Sequence, residues 1–76
     1  MPVFDYTVDG EALSTSELVL TPILILKNAG LDPSTHYLIE IDGNSQKSFK
    51  DDPNVSVHMH EHMKFVSVFT GSTPVS

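Results

Sequence analysis

The stretch that decides the fold runs from residue 21 to residue 33 and reads Thr21-Pro22-Ile23-Leu24-Ile25-Leu26-Lys27-Asn28-Ala29-Gly30-Leu31-Asp32-Pro33. Threonine is a good helix N-cap, and proline at the first helical position loses only an N–H group that has no partner there. Gly30 stands where a left-handed residue ends a helix, Leu31 can close the hydrophobic contact of a Schellman motif, and Pro33 blocks continuation. These signals predict a helix from Pro22 to Asn28.

The alternative for the same stretch is a strand from Ile23 to Leu26, because β-branched isoleucines lower helix propensity. The two caps favour the helix. Its apolar side is expected to consist of Ile23, Leu24, Leu26 and Ala29 and to lie in the core.

The chain before the helix predicts a β-hairpin. Apolar and polar residues alternate from Val3 to Val8, which is typical of a half-buried strand. Asp9-Gly10 is a strong type I′ turn signal, because both central residues of that turn need a positive φ. We therefore expect a second, antiparallel strand from Glu11 to about Ser16.

The chain after the helix predicts a further strand from Tyr37 to Ile41. Its alternation places Tyr37, Ile39 and Ile41 on one face, which we expect to be the core face, and Leu38 and Glu40 on the other. Asp42-Gly43-Asn44 has turn chemistry.

The remaining segments are shorter. They predict an extended piece around Gln46 to Phe49, a loop over Asp51-Asp52-Pro53-Asn54, alternating apolar positions from Val55 to Met59, and a last strand from Lys64 to Phe69. The order of elements predicts an α+β fold: a ubiquitin-like β-grasp over residues 1–70, in which a mixed sheet of four to five strands packs on one helix. Residues 71–76 lack periodicity and are expected to form a flexible C-terminal tail.

Composition excludes several classes of function. The net charge is −6, with ten acidic residues against four lysines, so the clustered basic residues that bind nucleic acid are lacking. There are no cysteines, which excludes a disulfide framework, a thiolate zinc site and a cysteine nucleophile. No targeting signal is visible, and the longest apolar stretch, Leu18 to Leu26, is too short to cross a bilayer. We expect a cytoplasmic protein without a membrane partner.

A family resemblance adds to this interpretation. The Ala-Gly-Leu-Asp-Pro string at residues 29–33, followed by Tyr37-Leu38-Ile39-Glu40, resembles the bacterial ubiquitin-like domains of the multiubiquitin type. Met63-Lys64-Phe65-Val66 and Thr73-Pro74-Val75-Ser76 extend the resemblance over most of the chain. It implies a protein modifier that needs no cofactor and is not itself an enzyme. Its partners would be an activating enzyme, a conjugating enzyme, a deubiquitinase-like peptidase and the target proteins.

The resemblance also implies which residues react, since such modifiers are activated at a C-terminal carboxylate. The corresponding conjugation or processing tail is Gly71, Ser72, Thr73, Pro74, Val75 and Ser76. Modifiers commonly end in Gly-Gly, whereas this tail has a single glycine. Either Ser76 is the reacting end, or a peptidase first trims the tail, or the protein is a non-covalent adaptor or scaffold. Gly71, which is free to take any φ, favours trimming at that residue.

A surface difference from ubiquitin follows from the predicted faces. If Ile39 and Ile41 lie in the core, Glu40 stands where ubiquitin exposes its main recognition isoleucine. Receptors built for that apolar patch are then not expected to bind. Either Val66 with Val68, or Phe65 with Phe69, would offer an apolar contact on the last strand instead.

Two further groups of residues raise the question of metal binding and of catalysis. His58-Met59-His60-Glu61-His62 has metal-ligand spacing on a strand, with Glu61 or His36 as a further ligand. A solvated connection is the favoured interpretation. Ser14, Thr15 and Ser16 lack the Gly-x-Ser-x-Gly elbow of a hydrolase, so we predict no catalytic residue.

The four lysines, Lys27, Lys47, Lys50 and Lys64, are conceivable acceptors for chain formation.

Overall fold

The computed structural model describes residues 3–70, which form a five-stranded mixed sheet, a two-stranded sheet and one helix. The elements are β1 (Phe4–Val8), β2 (Glu11–Thr15), β3 (Val19–Leu20), α1 (Pro22–Asn28), β4 (His36–Asp42), β5 (Ser45–Ser48), β6 (Val57–His58) and β7 (Met63–Phe69). The large sheet has the order β2-β1-β7-β4-β5. The central strand, β7, is parallel to β1, and the other pairs are antiparallel. The predicted α+β class, with a mixed sheet and one helix, is confirmed.

The first hairpin forms as the sequence predicts. Asp9 has a φ of 54° and Gly10 a φ of 84°, so both central turn residues are in the left-handed region that a type I′ turn requires. The two strands pair from Val8 opposite Glu11 to Phe4 opposite Thr15.

The helix has the predicted bounds and both predicted caps. The hydroxyl of Thr21 accepts a hydrogen bond from the Leu24 N–H at 3.2 Å. At the other end Gly30 has a φ of 79°, its N–H donates to the Lys27 carbonyl, and the Leu31 N–H donates to the Leu26 carbonyl. This pair of hydrogen bonds is a complete Schellman motif. The alternative, a strand from Ile23 to Leu26, is wrong.

The core lies between one face of the large sheet and the helix. Its buried residues are Tyr6, Val8, Leu20, Ile25, Leu26, Leu38, Phe49, Val57, Met59, Met63 and Phe65. The predicted apolar side of the helix is wrong in part, because Leu24 is 44% exposed whereas Ile25 is fully buried. A helix of two turns presents one narrow face, and here that face is Pro22, Ile25 and Leu26 at spacing i, i+3, i+4.

The predicted faces of β4 are reversed. Leu38 is fully buried, whereas Ile39 and Ile41 are only partly buried and lie on the opposite face. The reason is the pairing with β7: Phe65, which is 1% exposed, stands opposite Glu40, and directly opposite residues share a face. Burial of Phe65 therefore directs Leu38 inward and Ile39 outward.

The small sheet of β3 and β6 was not predicted. Val19 pairs with His58 and Leu20 with Val57, and the Met59 N–H donates to the Leu18 carbonyl at 2.8 Å. Val57 and Met59 are each 5% exposed, so this segment covers one end of the core.

The one helix described among residues 3–70 lacks the length and apolar character needed to cross a membrane.

Candidate functional site

The predicted reacting residues, Gly71 to Ser76, lie outside the described residues, and Thr70 is the last described residue before them. β7 ends at Phe69, and the Thr70 N–H donates to the Thr35 carbonyl at 2.7 Å. The chain therefore leaves the sheet beside the segment that follows the helix.

The strand that leads to this exit is held on both sides. β7 pairs with β1 through Tyr6, Thr7 and Val8, and with β4 over six positions from His36 to Ile41. A strand paired on both sides can be pulled out only by breaking two ladders of hydrogen bonds. Pairing with β1 covers Met63 to Phe65, and from Val66 to Phe69 the strand is paired with β4.

The face of the sheet opposite the helix carries an apolar cluster next to this exit. Tyr37 stands opposite Val68 and Ile39 stands opposite Val66, and each of these side chains is partly exposed. Opposite residues in an antiparallel pair have Cβ atoms about 4.5–5.5 Å apart, so the four side chains form one continuous patch. We call these four residues, Tyr37, Ile39, Val66 and Val68, the open-face ladder.

The ladder corrects the surface predicted from the sequence. Glu40 lies on the core side of the sheet, and Ile39 occupies the outward position that the prediction gave to Glu40. The expectation that receptors built for an apolar patch do not bind rested on the reversed faces of β4, and it is therefore unsupported. Of the two pairs proposed on the last strand, Val66 and Val68 face outward together, whereas Phe65 belongs to the core and Phe69 is 57% exposed at the strand end.

The segment beside the exit, from Asp32 to His36, contains a hydrogen-bonded cluster that was not predicted from the sequence. A carboxylate oxygen of Asp32 accepts from the Ser34 N–H at 2.9 Å and from the Ser34 hydroxyl at 2.7 Å. The hydrogen bond from the Ser34 N–H, then that from its hydroxyl, and then the nearby imidazole of His36 hold the pKa of Asp32 below its usual value of 3.8.

This cluster contains serine, histidine and aspartate, but its geometry is that of a turn. Ser34 bonds Asp32 directly, while His36 Nδ1 lies 3.0 Å from the Asp32 carbonyl oxygen and 3.0 Å from the Thr35 hydroxyl. A nucleophile needs its hydroxyl hydrogen-bonded to the base, and the Ser34 hydroxyl bonds Asp32 instead. The Thr35 hydroxyl does contact His36, but it also donates to the Asp32 carbonyl at 3.2 Å, which ties it into the turn. The cluster fixes the turn that receives Thr70.

The histidine-rich segment does not assemble a metal site in the described part of the chain, where no three His, Asp or Glu side chains are placed to share an ion. His62 has a φ of 65° and its N–H donates to the Asp5 carbonyl, so it leaves the strand register as expected. His60 Nδ1 contacts the Glu61 carbonyl at 3.2 Å.

Among Ser14, Thr15 and Ser16, for which we predict no catalytic role, the Thr15 hydroxyl accepts a hydrogen bond from the Glu17 N–H.

Comparison with known proteins finds no relative: the sequence matches no protein-family model and no curated protein, and the structure matches no solved structure. The class defined by fold and site is thus a small α+β domain that carries an apolar patch on the face of the sheet opposite the helix.

Proposed function

We propose that this chain is a ubiquitin-like β-grasp modifier of a bacterial conjugation system, acted on by partner enzymes through residues 71–76. The observation that carries the proposal is the position of β7. The last strand lies in the middle of the sheet, ends at an exit held by Thr35, and carries Val66 and Val68 on the open face beside that exit.

The order of elements supports the β-grasp assignment. A hairpin is followed by one helix that packs on the sheet, and the last strand returns to lie parallel to the first in the sheet centre. This arrangement buries a single face of the sheet and leaves the other free for partners.

The distance between the ladder and the exit supports handling by enzymes. Val68 lies two residues before Thr70, which is about 7 Å along a strand. An enzyme that binds the open-face ladder is therefore in reach of the tail. In the proposed chemistry the tail carboxylate attacks the α-phosphate of ATP in the activating enzyme, which forms an acyl adenylate and releases pyrophosphate. A nucleophile of the partner then displaces AMP, and a target amine displaces that nucleophile. Trimming after Gly71 by a deubiquitinase-like peptidase precedes activation.

The second candidate function is a non-covalent adaptor. The open-face ladder favours it specifically, because an apolar patch binds a partner without any reaction at the tail. The two functions differ in whether the link between this protein and its partner is covalent and therefore survives denaturation.

Co-expression with the activating, conjugating and peptidase components of the host tests the proposal. Adducts that persist in denaturant are expected from the full chain and not from a chain that ends at Thr70. Ile39→Glu on the ladder should slow adduct formation, whereas Ser14→Glu, on the exposed strand β2, should not. Adducts formed equally by the shortened chain would refute tail chemistry.

A further inference from the structure

A cleft of about 240 Å³ lies between the beginning of the helix and β4, on the side of the domain where the chain leaves the sheet. Its wall on the helix side includes Pro22, Ile23 and Leu26, and Thr70 lies at its rim. Across from the helix the cleft is lined by Tyr37, Leu38 and Phe49.

The cleft is built on the rigid part of the domain. Leu26, Leu38 and Phe49 are at most 3% exposed. The Phe49 N–H donates to the Leu38 carbonyl at 2.8 Å, and the Ile23 N–H donates to the Pro53 carbonyl at 3.2 Å. Backbone hydrogen bonds therefore hold two walls of the cleft in place.

The charge at the cleft is opposite to that of the protein. The chain carries a net charge of −6, yet none of the cleft-lining residues is an aspartate or a glutamate. Lys50 lines the cleft, and its Nζ lies 5.7 Å from the centroid of the Tyr37 ring. A cation over an aromatic face is attracted to it, which holds the ammonium group beside Tyr37, another residue that lines the cleft. Asp51 and Asp52 follow Lys50 in sequence but do not line the cleft.

The size of the cleft limits its ligand. Pockets for whole small molecules are commonly about 300–1,000 Å³, so this one suits a single side chain. We propose that the cleft binds a peptide segment of a partner protein that presents a leucine-sized apolar side chain next to a carboxylate. The apolar side chain fills the cleft, and the carboxylate pairs with Lys50. This proposal is independent of the modifier function, because it uses no residue of the tail.

Three acetylated and amidated tetrapeptides test the ligand chemistry: Ala-Leu-Asp-Ala, Ala-Leu-Asn-Ala and Ala-Ala-Asp-Ala. Titrated into the full ¹⁵N-labelled chain, the first should shift the amide signals of Ile23, Phe49 and Lys50. The asparagine peptide should bind about two- to fivefold more weakly, as for a partly exposed ion pair. The alanine peptide, which loses most of the apolar contact, should bind about tenfold more weakly or worse.

Two lysine variants test the site. Lys50→Gln should lower the affinity for the aspartate peptide to that for the asparagine peptide. Lys47→Gln is the matched control, because Lys47 also lies over an aromatic ring, that of Phe49 at 5.5 Å, but does not line the cleft. The proposal is overturned if the aspartate and asparagine peptides bind equally, or if Lys47→Gln loses as much affinity as Lys50→Gln. It is also overturned if the shifted signals map to Ile39, Val66 and Val68, the ladder residues that do not line the cleft, or if no saturable shift appears at millimolar peptide.

Discussion

The carboxylate of Asp9 accepts two hydrogen bonds from Ser67, a residue 58 positions away in the chain. One comes from the Ser67 backbone N–H at 2.8 Å and the other from its hydroxyl. The Asp9 N–H in turn donates to the Phe65 carbonyl at 2.9 Å. The turn of the first hairpin is therefore hydrogen-bonded to the last strand. These bonds lie just beyond the point where the parallel pairing of β1 with β7 ends, at Val8 and Phe65.

Asp9→Asn should lower the free energy of unfolding by about 0.5–1.5 kcal/mol, because it removes the charged acceptor but keeps a side chain that tolerates positive φ. Ser67→Ala should cost a similar amount, and the double variant should cost less than the two together. Urea unfolding measures all three. Asp5→Asn is the control, since Asp5 is an exposed aspartate of the same hairpin. Strict additivity of the two changes would show that the pair is not coupled.

Tyr6→Phe should leave stability unchanged or raise it by up to about 1 kcal/mol. The Tyr6 hydroxyl is buried without a partner in the described part of the chain, and an unsatisfied buried polar group costs free energy. The ring itself stays in place, edge-on to Phe65 with centroids 6.0 Å apart. Thermal unfolding compares the two proteins. A clear loss of stability would mean that the hydroxyl has a partner after all.

Leu38→Ala should destabilise the domain by about 2–5 kcal/mol, as a large-to-small change in the core does. Ile39→Ala should cost much less, because Ile39 is already partly exposed in the folded protein. Chemical unfolding of the two variants compares the two faces of one strand directly. A larger loss from Ile39→Ala would restore the orientation predicted from the sequence.

Acid should remove a contribution of Asp32 to stability. Its pKa is lowered in the folded protein, so the ionised carboxylate stabilises the fold above its usual pKa of 3.8, and this contribution is lost as the pH falls through the lowered value. The difference in stability between the native protein and Asp32→Asn should therefore shrink in acid. Ser34→Ala, which removes one donor to Asp32, should move the acid transition to higher pH. A difference that does not depend on pH would contradict this role.

The sequence predicted the features that local chemistry decides. Asp9-Gly10 and the Thr21 to Pro33 stretch each contain their own turn or cap residues, and the hairpin and helix follow from them. The faces of β4 were mispredicted because Leu38 and Ile39 are equally apolar, and only burial of Phe65 on the neighbouring strand separates them. The two-residue strands β3 and β6 are too short to carry a periodic signal.

The candidate sites depend even more on tertiary structure. The open-face ladder is assembled from two strands that lie about thirty residues apart, and the cleft joins Pro22 to Thr70. Neither is visible as a motif. The tail stays a prediction from the sequence, which rests on two local features, its lack of periodicity and its single glycine.

Covalent handling through residues 71–76 is tested most directly by the intact mass of the protein recovered from its host with the partner enzymes present. We expect free chains that end at Gly71, or adducts formed through Gly71. Adducts that retain Ser76 would preserve the modifier function but refute trimming. If every molecule remains whole and unattached, the modifier function is contradicted and the non-covalent adaptor takes its place.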